Sequence, residues 1–297
     1  MHILLTGGTG LIGSALIERL RTSHSITVVT RNTDAAKSKL GSDLSYLNSV
    51  NDISDIGTFD AVINLAGEPI ADKRWTTSQK TKICESRWGT TASLVAKINE
   101  SASAPSVFIS GSAIGYYGRQ GERDVVESTM PHKEFTYEVC SKWEAIANTV
   151  TNNRTRVCTL RTGVVLSENG GALGKMALPF KLGVGGTLGT AKQYLSWIHL
   201  EDMVSAIIHL LHSSDCEGPF NMTAPVPVTN KTFSHALSKA LSRPCFFNVP
   251  AFVMKIAMGE SSDMILEGQK VLPDKLIKSG FSFTYPTVDE ALNAVYS

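Results

Sequence analysis

HILLTGGTGLIG, residues 2–13, is the stretch whose reading decides the fold. Its first part, 2–6, reads as a short apolar strand. It runs into Gly7, Gly10 and Gly13, and an amphipathic helix over 11–23 follows. The spacing is GxxGxxG. Three glycines alone carry little weight, but between a strand and a helix they read as a dinucleotide-binding turn. Gly7 permits the tight turn, Gly10 lets the main chain approach a diphosphate, and Gly13 lets the helix pack closely on the sheet. Thr9, Leu11 and Ile12 complete a loop whose N–H groups and helix dipole hold phosphates.

Outward from this loop, strands and helices alternate. Further strands are expected at 25–30, 60–65, 106–110 and 156–161, and helices at 77–101 and 134–149. That alternation predicts an α/β, Rossmann-type doubly wound parallel sheet with helices on both faces. The pattern loosens after Thr162. ENGGALGK (168–175) and KLGVGGTLGT (181–190) read as long loops around one short helix, either a mobile flap or plain irregular chain. A strand at 194–199 and a helix at 201–212 follow. The expected division is an NADP-binding domain over 1–165 with later segments joining it, a mixed substrate-pocket region over 166–250, and a small helical C-terminal region over 251–297 covering the substrate.

The residue that ends the second strand sets the cofactor. A carboxylate there would bind a ribose 2′-hydroxyl. Here the chain reads Thr30-Arg31-Asn32, so a guanidinium stands where a 2′-phosphate would lie. NADP(H) is therefore expected rather than NAD(H); the alternative for Arg31 is a solvated surface arginine.

Of 297 residues, 42% are hydrophobic and 19% charged, as in a globular protein with a sizeable core. The net charge of +1 gives no broad basic field for nucleic acid. No apolar run reaches membrane-spanning length, and the apolar opening is too short for a signal peptide. The five cysteines form no CxxC pair, and their number is odd. Neither a disulfide framework nor a zinc site is expected, and a reducing cytoplasm is the default location. No HExxH pattern supports another metal.

TGGTGLIG (6–13), Asn64-Leu65-Ala66-Gly67 and SGSAIGYYG (110–118) resemble extended short-chain dehydrogenases/reductases. GEPIADKRW (67–75), ESRWGTT (85–91), LRTGVVLS (160–167), QYLSWIHLEDM (193–203) and GPFNMTAP (218–225) narrow the resemblance. They are similar to bacterial epimerase-family oxidoreductases, also labelled nucleoside-diphosphate-sugar epimerases or cell-division inhibitors. The similarity runs along essentially the whole chain, including a short C-terminal domain of unassigned role. It implies that Asn64, Leu65, Ala66 and Gly67 line the adenosine and ribose channel, and that Ser112 takes the catalytic serine's place. A turn-stabilising role is the alternative for Ser112.

The resemblance also implies a Tyr-x-x-x-Lys pair on one helix face, where the ammonium lowers the phenol's pKa. Tyr137 stands where that tyrosine is expected, but Ser141 lies four residues on. Lys142, five on, is turned about 100° further round a helix. Tyr116 and Tyr117 have no partnering lysine either. Tyr116, Tyr137, Cys140 and Lys142 all remain candidates for proton transfer beside Ser112.

Arg161 ends a strand at the carboxyl edge, where open α/β sheets bind ligands. It holds either cofactor or anionic substrate, or else forms a structural salt bridge. Lys73, Arg74 and Arg87 add positive charge after Asn64, with Arg87 on a helix that resembles the cofactor-facing one. His199 is read as a satisfied histidine near the pocket rather than a ligand contact. The expected function is NADP(H)-dependent oxidoreductase or epimerase-like chemistry on a small carbonyl- or hydroxyl-bearing, sugar-nucleotide-like substrate, with Arg31 tilting it toward reduction. The alternative is a non-catalytic NADP(H)-binding sensor or interaction module. A homodimer is compatible with either.

Overall fold

A computed structural model describes residues 1–297. Seven parallel strands form the central sheet: β1 His2–Thr6, β2 Ser25–Val29, β3 Ser45–Leu47, β4 Ala61–Asn64, β5 Val107–Ala113, β6 Arg156–Thr162 and β7 Gly218–Met222. Their order across the sheet is 3-2-1-4-5-6-7, so the chain winds one way from β1 and the other way from β4. This is the Rossmann-type doubly wound sheet that the alternation predicted.

Near-continuous apolar strands suit a sheet covered on both faces. Alternate residues of one strand enter different cores. Ile3 and Leu5, Ala61 and Ile63, and Val107 and Ile109 face one side. Helices α1 (Leu11–Leu20) and α6 (Leu200–His212) close that side through Leu16, Ile17, Met203, Ile207 and Leu210. Leu4, Val62 and Phe108 face the other. There α3 (Thr77–Glu100) supplies Leu94, Val95 and Ile98, and α4 (Phe135–Ala147) supplies Ala147. Each such aliphatic side chain contributes about 1.5–3 kcal/mol on full burial.

A separate core joins α5 (Gly171–Lys181), α7 (Asn230–Ala240) and the last helix, Val288–Tyr296, around Trp197 and Phe233. The 251–297 segment divides itself between cores. Leu276 enters the main one, while Val288, Ala291 and Leu292 enter the second. Helix α8 (Ala251–Met258) buries no residue at all.

Two expectations need correction. The single strand at 194–199 is two, Tyr194–Leu195 pairing with Val228–Thr229 and Trp197–His199 pairing with Val164–Leu166. Ser196 makes the break: its hydroxyl donates to the Gln269 carbonyl (2.7 Å) and accepts from the Val271 N–H (2.8 Å). The first helix stops at Leu20, where the Arg21 N–H bonds to the Ile17 carbonyl. Strand β7 lies outside the strands expected from the sequence; it is the sheet's edge, where its Pro219 is tolerated.

Candidate functional site

Strand registers bring the sequence candidates to one edge. Thr6 lies level with Val29 and Asn64, Asn64 with Ser110, and Ser112 with Arg161. The glycine loop leaves β1 at this edge, beside the point where the winding reverses. Open α/β sheets form their ligand crevice at such a point.

The loop geometry explains its glycines. Gly7 has φ +72°, and a Cβ there would stand 2.5 Å from the Leu65 carbonyl carbon and oxygen. A Cβ on Gly13 would meet the Gly7 carbonyl oxygen at 2.3 Å. Both positions exclude any side chain. At Gly10, which caps α1 and is exposed, the nearest atom is that same oxygen at 3.2 Å. The Gly10 N–H closes the turn onto the Gly7 carbonyl (3.0 Å). Thr9, Leu11 and Ile12 are half-buried along the loop. Leu11 also touches Gly171, so the glycine-rich 168–175 segment arches against the loop.

Arg31 is exposed just past β2. Helix α2 (Thr33–Leu40) starts immediately after it, capped by the Asn32 side chain. Arg87 on α3 is a different kind of cation. Its guanidinium lies against the Cα of Gly67 and 5.3 Å from the Trp143 ring centroid. It donates to the Ile83 carbonyl and the Ser86 hydroxyl, and pairs with no carboxylate. Burial pushes its pKa down, as expected of a charge still lacking a counter-ion.

The turn after β4 divides in two. The Asn64 side chain is fully buried, accepting from the Thr6 hydroxyl (2.6 Å) and donating to the Thr91 hydroxyl (2.9 Å). It ties β1 and β4 to α3. Leu65 and Ala66 are half-buried and Gly67 is exposed.

The catalytic candidates divide in the same way. Ser112 is 5% exposed, and its hydroxyl donates to Glu144 Oε1 at 2.6 Å. Arg161 grips the same carboxylate from below, Nε to Oε1 and Nη2 to Oε2, each at 2.8 Å. Its remaining Nη1 reaches the Tyr117 hydroxyl and the Glu127 carbonyl. Of the two roles open to it, Arg161 therefore takes the salt bridge, because a buried guanidinium needs a counter-ion. Burial works against its charge, but the Glu144 hydrogen bonds and charge outweigh this and raise its pKa.

Tyr117 is fully buried and donates to Asn221; burial pushes its pKa up to about 12. Tyr116 is half-buried, its ring centroid 3.5 Å from the Arg161 guanidinium carbon and 5.7 Å from that of Tyr137. The hydroxyls of Tyr116 and Tyr137 engage no protein group. Cys140 is buried, and burial, with Glu144 next, pushes its thiol up to about 12. Lys142 turns away to lie 4.1 Å from the Trp88 ring centroid. No lysine hydrogen-bonds the Tyr116 or Tyr137 hydroxyl. Glu144, which sequence reasoning missed, is the centre of the arrangement. Its one signal was a carboxylate on the inward stripe of α4, four residues after Cys140.

Beside the edge, α8 docks on the loop after β4. Arg74 donates to the Ile256 and Ala257 carbonyls at the α8 C-terminus, and Lys80 pairs with Glu260 at 2.7 Å. His199 caps α6, its Nδ1 accepting from the Glu201 N–H, with its ring against Tyr285. No three His, Cys, Asp or Glu side chains gather in a metal-binding group. No helix is long and apolar enough to cross a membrane.

Residues 3–222 match the model of the NAD dependent epimerase/dehydratase family, and residues 249–295 match a domain of unknown function, DUF1731. Epimerase family protein SH2119 of Staphylococcus haemolyticus is 39% identical over 288 residues, covering 96% of this chain and 95% of that protein. The crystal structure of human epimerase family protein SDR39U1 with NADPH superposes with TM-score 0.91 at 32% identity, covering 100% of this chain and 99% of that one. UDP-glucuronic acid 4-epimerase from Bacillus cereus with NAD is 16% identical, with TM-score 0.78 over 100% and 96% of the two chains. At that identity the likeness is one of fold.

Proposed function

The chain belongs to the NAD dependent epimerase/dehydratase family, and from that premise we propose that it is an NADP(H)-dependent oxidoreductase of the short-chain dehydrogenase/reductase type. Its substrate is a small carbonyl- or hydroxyl-bearing molecule of the sugar-nucleotide kind. The observation that carries the reading is the pairing of a glycine loop open at Gly10 with an unpaired guanidinium, Arg31, just past the end of the adjoining strand β2. The NADPH in the SDR39U1 crystal structure supports it.

The nicotinamide cofactor, when bound, gives or takes a hydride. The rest falls to this chain's residues. The loop N–H groups and the α1 dipole hold the diphosphate. Arg31 takes the 2′-phosphate by charge-assisted hydrogen bonds. Arg87, half-buried and without a counter-ion, faces the same cleft beside Gly67 and receives anionic charge there. Ser112, its proton committed to Glu144, offers lone pairs and so accepts from a substrate hydroxyl. Tyr116 carries a hydroxyl with no protein partner on a ring 3.5 Å from the Arg161 guanidinium carbon, and we assign it the proton transfer. Helix α8, clasped to the loop after β4 through Arg74, is the element of the C-terminal region to which we assign the covering of the substrate.

A second reading is a non-catalytic NADP(H)-binding module. The absent lysine and the protonated, buried Cys140 thiol favour it. Calorimetry with NADPH and NADH, followed by NADPH absorbance against a carbonyl panel, separates the two. Tighter binding of NADPH with turnover of a carbonyl supports the enzyme. Tight binding without any turnover leaves the module, and no affinity for either dinucleotide sinks both.

A further inference from the structure

We propose that Lys39 is a second determinant of the 2′-phosphate site, closing with Arg31 a two-cation clamp around Thr9. The proposal rests on the NADP(H) reading above and extends it to a residue with no motif to mark it. Lys39 lies in the last turn of α2, and its ammonium donates to the Thr9 carbonyl at 2.8 Å. Thr9 sits between Gly8 and Gly10, inside the loop that faces the dinucleotide. Level registers of β1 and β2 put Arg31 at the same edge, where β2 ends. One cation thus stands after β2, and the other reaches back from the far end of α2 to the loop.

Neither cation is neutralised by the protein. Arg31 and Lys39 take part in none of the chain's ion pairs. Asp34 is the single acid on α2, and five residues of helix set it about 140° around from Lys39. The contact with Thr9 does not explain the lysine through stability, because an exposed polar contact of this kind adds little to it. It does fix where the ammonium stands, and two of its three protons remain free for a ligand.

The charge balance fits the ligand. A phosphate monoester carries about −1.5 to −2 charges near neutral pH. The loop N–H groups and helix dipole serve the diphosphate, so they do not neutralise a second phosphate. Arg31 alone leaves the 2′-phosphate about one charge short, and Lys39 makes up that charge. The clamp offers nothing to a bare ribose 2′-hydroxyl, which neither needs nor balances two cations.

Calorimetry of the full chain with 2′,5′-ADP and with 5′-AMP tests this without any substrate. The unaltered protein should prefer 2′,5′-ADP by more than about tenfold. Lys39→Met should cost about tenfold (about 1.4 kcal/mol) for 2′,5′-ADP and leave 5′-AMP unchanged. Lys39→Arg should keep most of the preference. If Lys39→Met leaves 2′,5′-ADP affinity intact, or weakens both nucleotides alike, the clamp is wrong. If Arg31→Ala removes the preference while Lys39→Met does not, the clamp alone fails and the NADP(H) reading stands. If the unaltered protein binds both nucleotides equally, both fall.

Discussion

Ser112 gives its hydroxyl proton to Glu144 across 2.6 Å, and Glu144 in turn holds Arg161 through both of its oxygens. The serine is therefore a hydrogen-bond acceptor toward the cleft, fixed in that role by a carboxylate on the neighbouring helix. Removing the Glu144 carboxylate leaves a buried guanidinium unpaired. Glu144→Ala should lower stability by about 3–5 kcal/mol in urea denaturation. A loss below about 1 kcal/mol would mean that Arg161 finds water, and that the site is more open than this geometry.

Ser112→Ala removes only one donor from a carboxylate that Arg161 still satisfies. The stability cost should be near 1 kcal/mol. NADPH affinity should be unchanged while turnover on any carbonyl substrate collapses. Turnover equal to that of the parent would exclude Ser112 from the chemistry.

Tyr116→Phe and Tyr137→Phe divide the remaining assignment. Both phenols lack a protein partner, but only the Tyr116 ring lies on the Arg161 guanidinium. Tyr116→Phe should lower kcat by about 10²–10⁴, the range of general acid–base catalysis, with little change in KM. Tyr137→Phe should retain most activity. The reverse pattern would move the proton transfer to Tyr137.

The glycine loop makes a paired prediction. Gly13→Ala puts a methyl 2.3 Å from the Gly7 carbonyl oxygen, so the loop must shift. Thermal stability and NADPH affinity should fall together, the former by about 1–3 kcal/mol. Gly10→Ala meets only that oxygen at 3.2 Å, so it should spare the fold and weaken NADPH selectively. Unimpaired NADPH binding by Gly10→Ala would mean the main chain does not approach the diphosphate.

His199 carries a pH prediction. Burial lowers its pKa from the ordinary 6.5, with Asp202 and Glu201 opposing. Its neutral Nδ1 accepts the Glu201 N–H at the start of α6. A depressed folded-state value means the unfolded chain binds the proton more readily. This contribution to stability is complete above about pH 6.5 and is lost as pH falls through the lower, folded value. His199→Asn keeps a capping oxygen and removes the titration, so the drop in Tm between about pH 7.5 and 5.5 should shrink. An unchanged drop would assign it to other groups.

Arg31→Ala should weaken NADPH by about ten- to a hundredfold and NADH hardly at all, as loss of a charged hydrogen bond implies. Equal weakening of both dinucleotides, measured by calorimetry, would remove Arg31 from the 2′-phosphate site.

How far the site was legible depended on the range of each interaction. Gly7 and Gly13 are dictated by atoms of the loop itself and of the turn after β4, the neighbouring strand in the sheet, and their need for glycine is signalled by the local order strand, glycines, helix. The place of Arg31 past β2 was legible because strand length fixes which residue emerges at the carboxyl edge. The broken Tyr-x-x-x-Lys spacing was likewise visible, since helical rotation follows from counting. Arg161 was not: an arginine at a strand end is equally suited to a ligand and to an ion pair.

The sequence by itself determined the doubly wound sheet, the glycine turn between β1 and α1 and the broken Tyr-x-x-x-Lys spacing, because each follows from periodicity and backbone conformation over a few residues. Only the tertiary structure decided that Ser112 points its proton at Glu144, 32 residues away, that Arg161 belongs to that carboxylate, and that Lys39 stands over Thr9, 30 residues before it. Those choices depend on how α4 and α2 lie against the sheet and on which rotamer each long side chain takes. Helix packing and desolvation set them, and neither is carried by residue spacing along the chain.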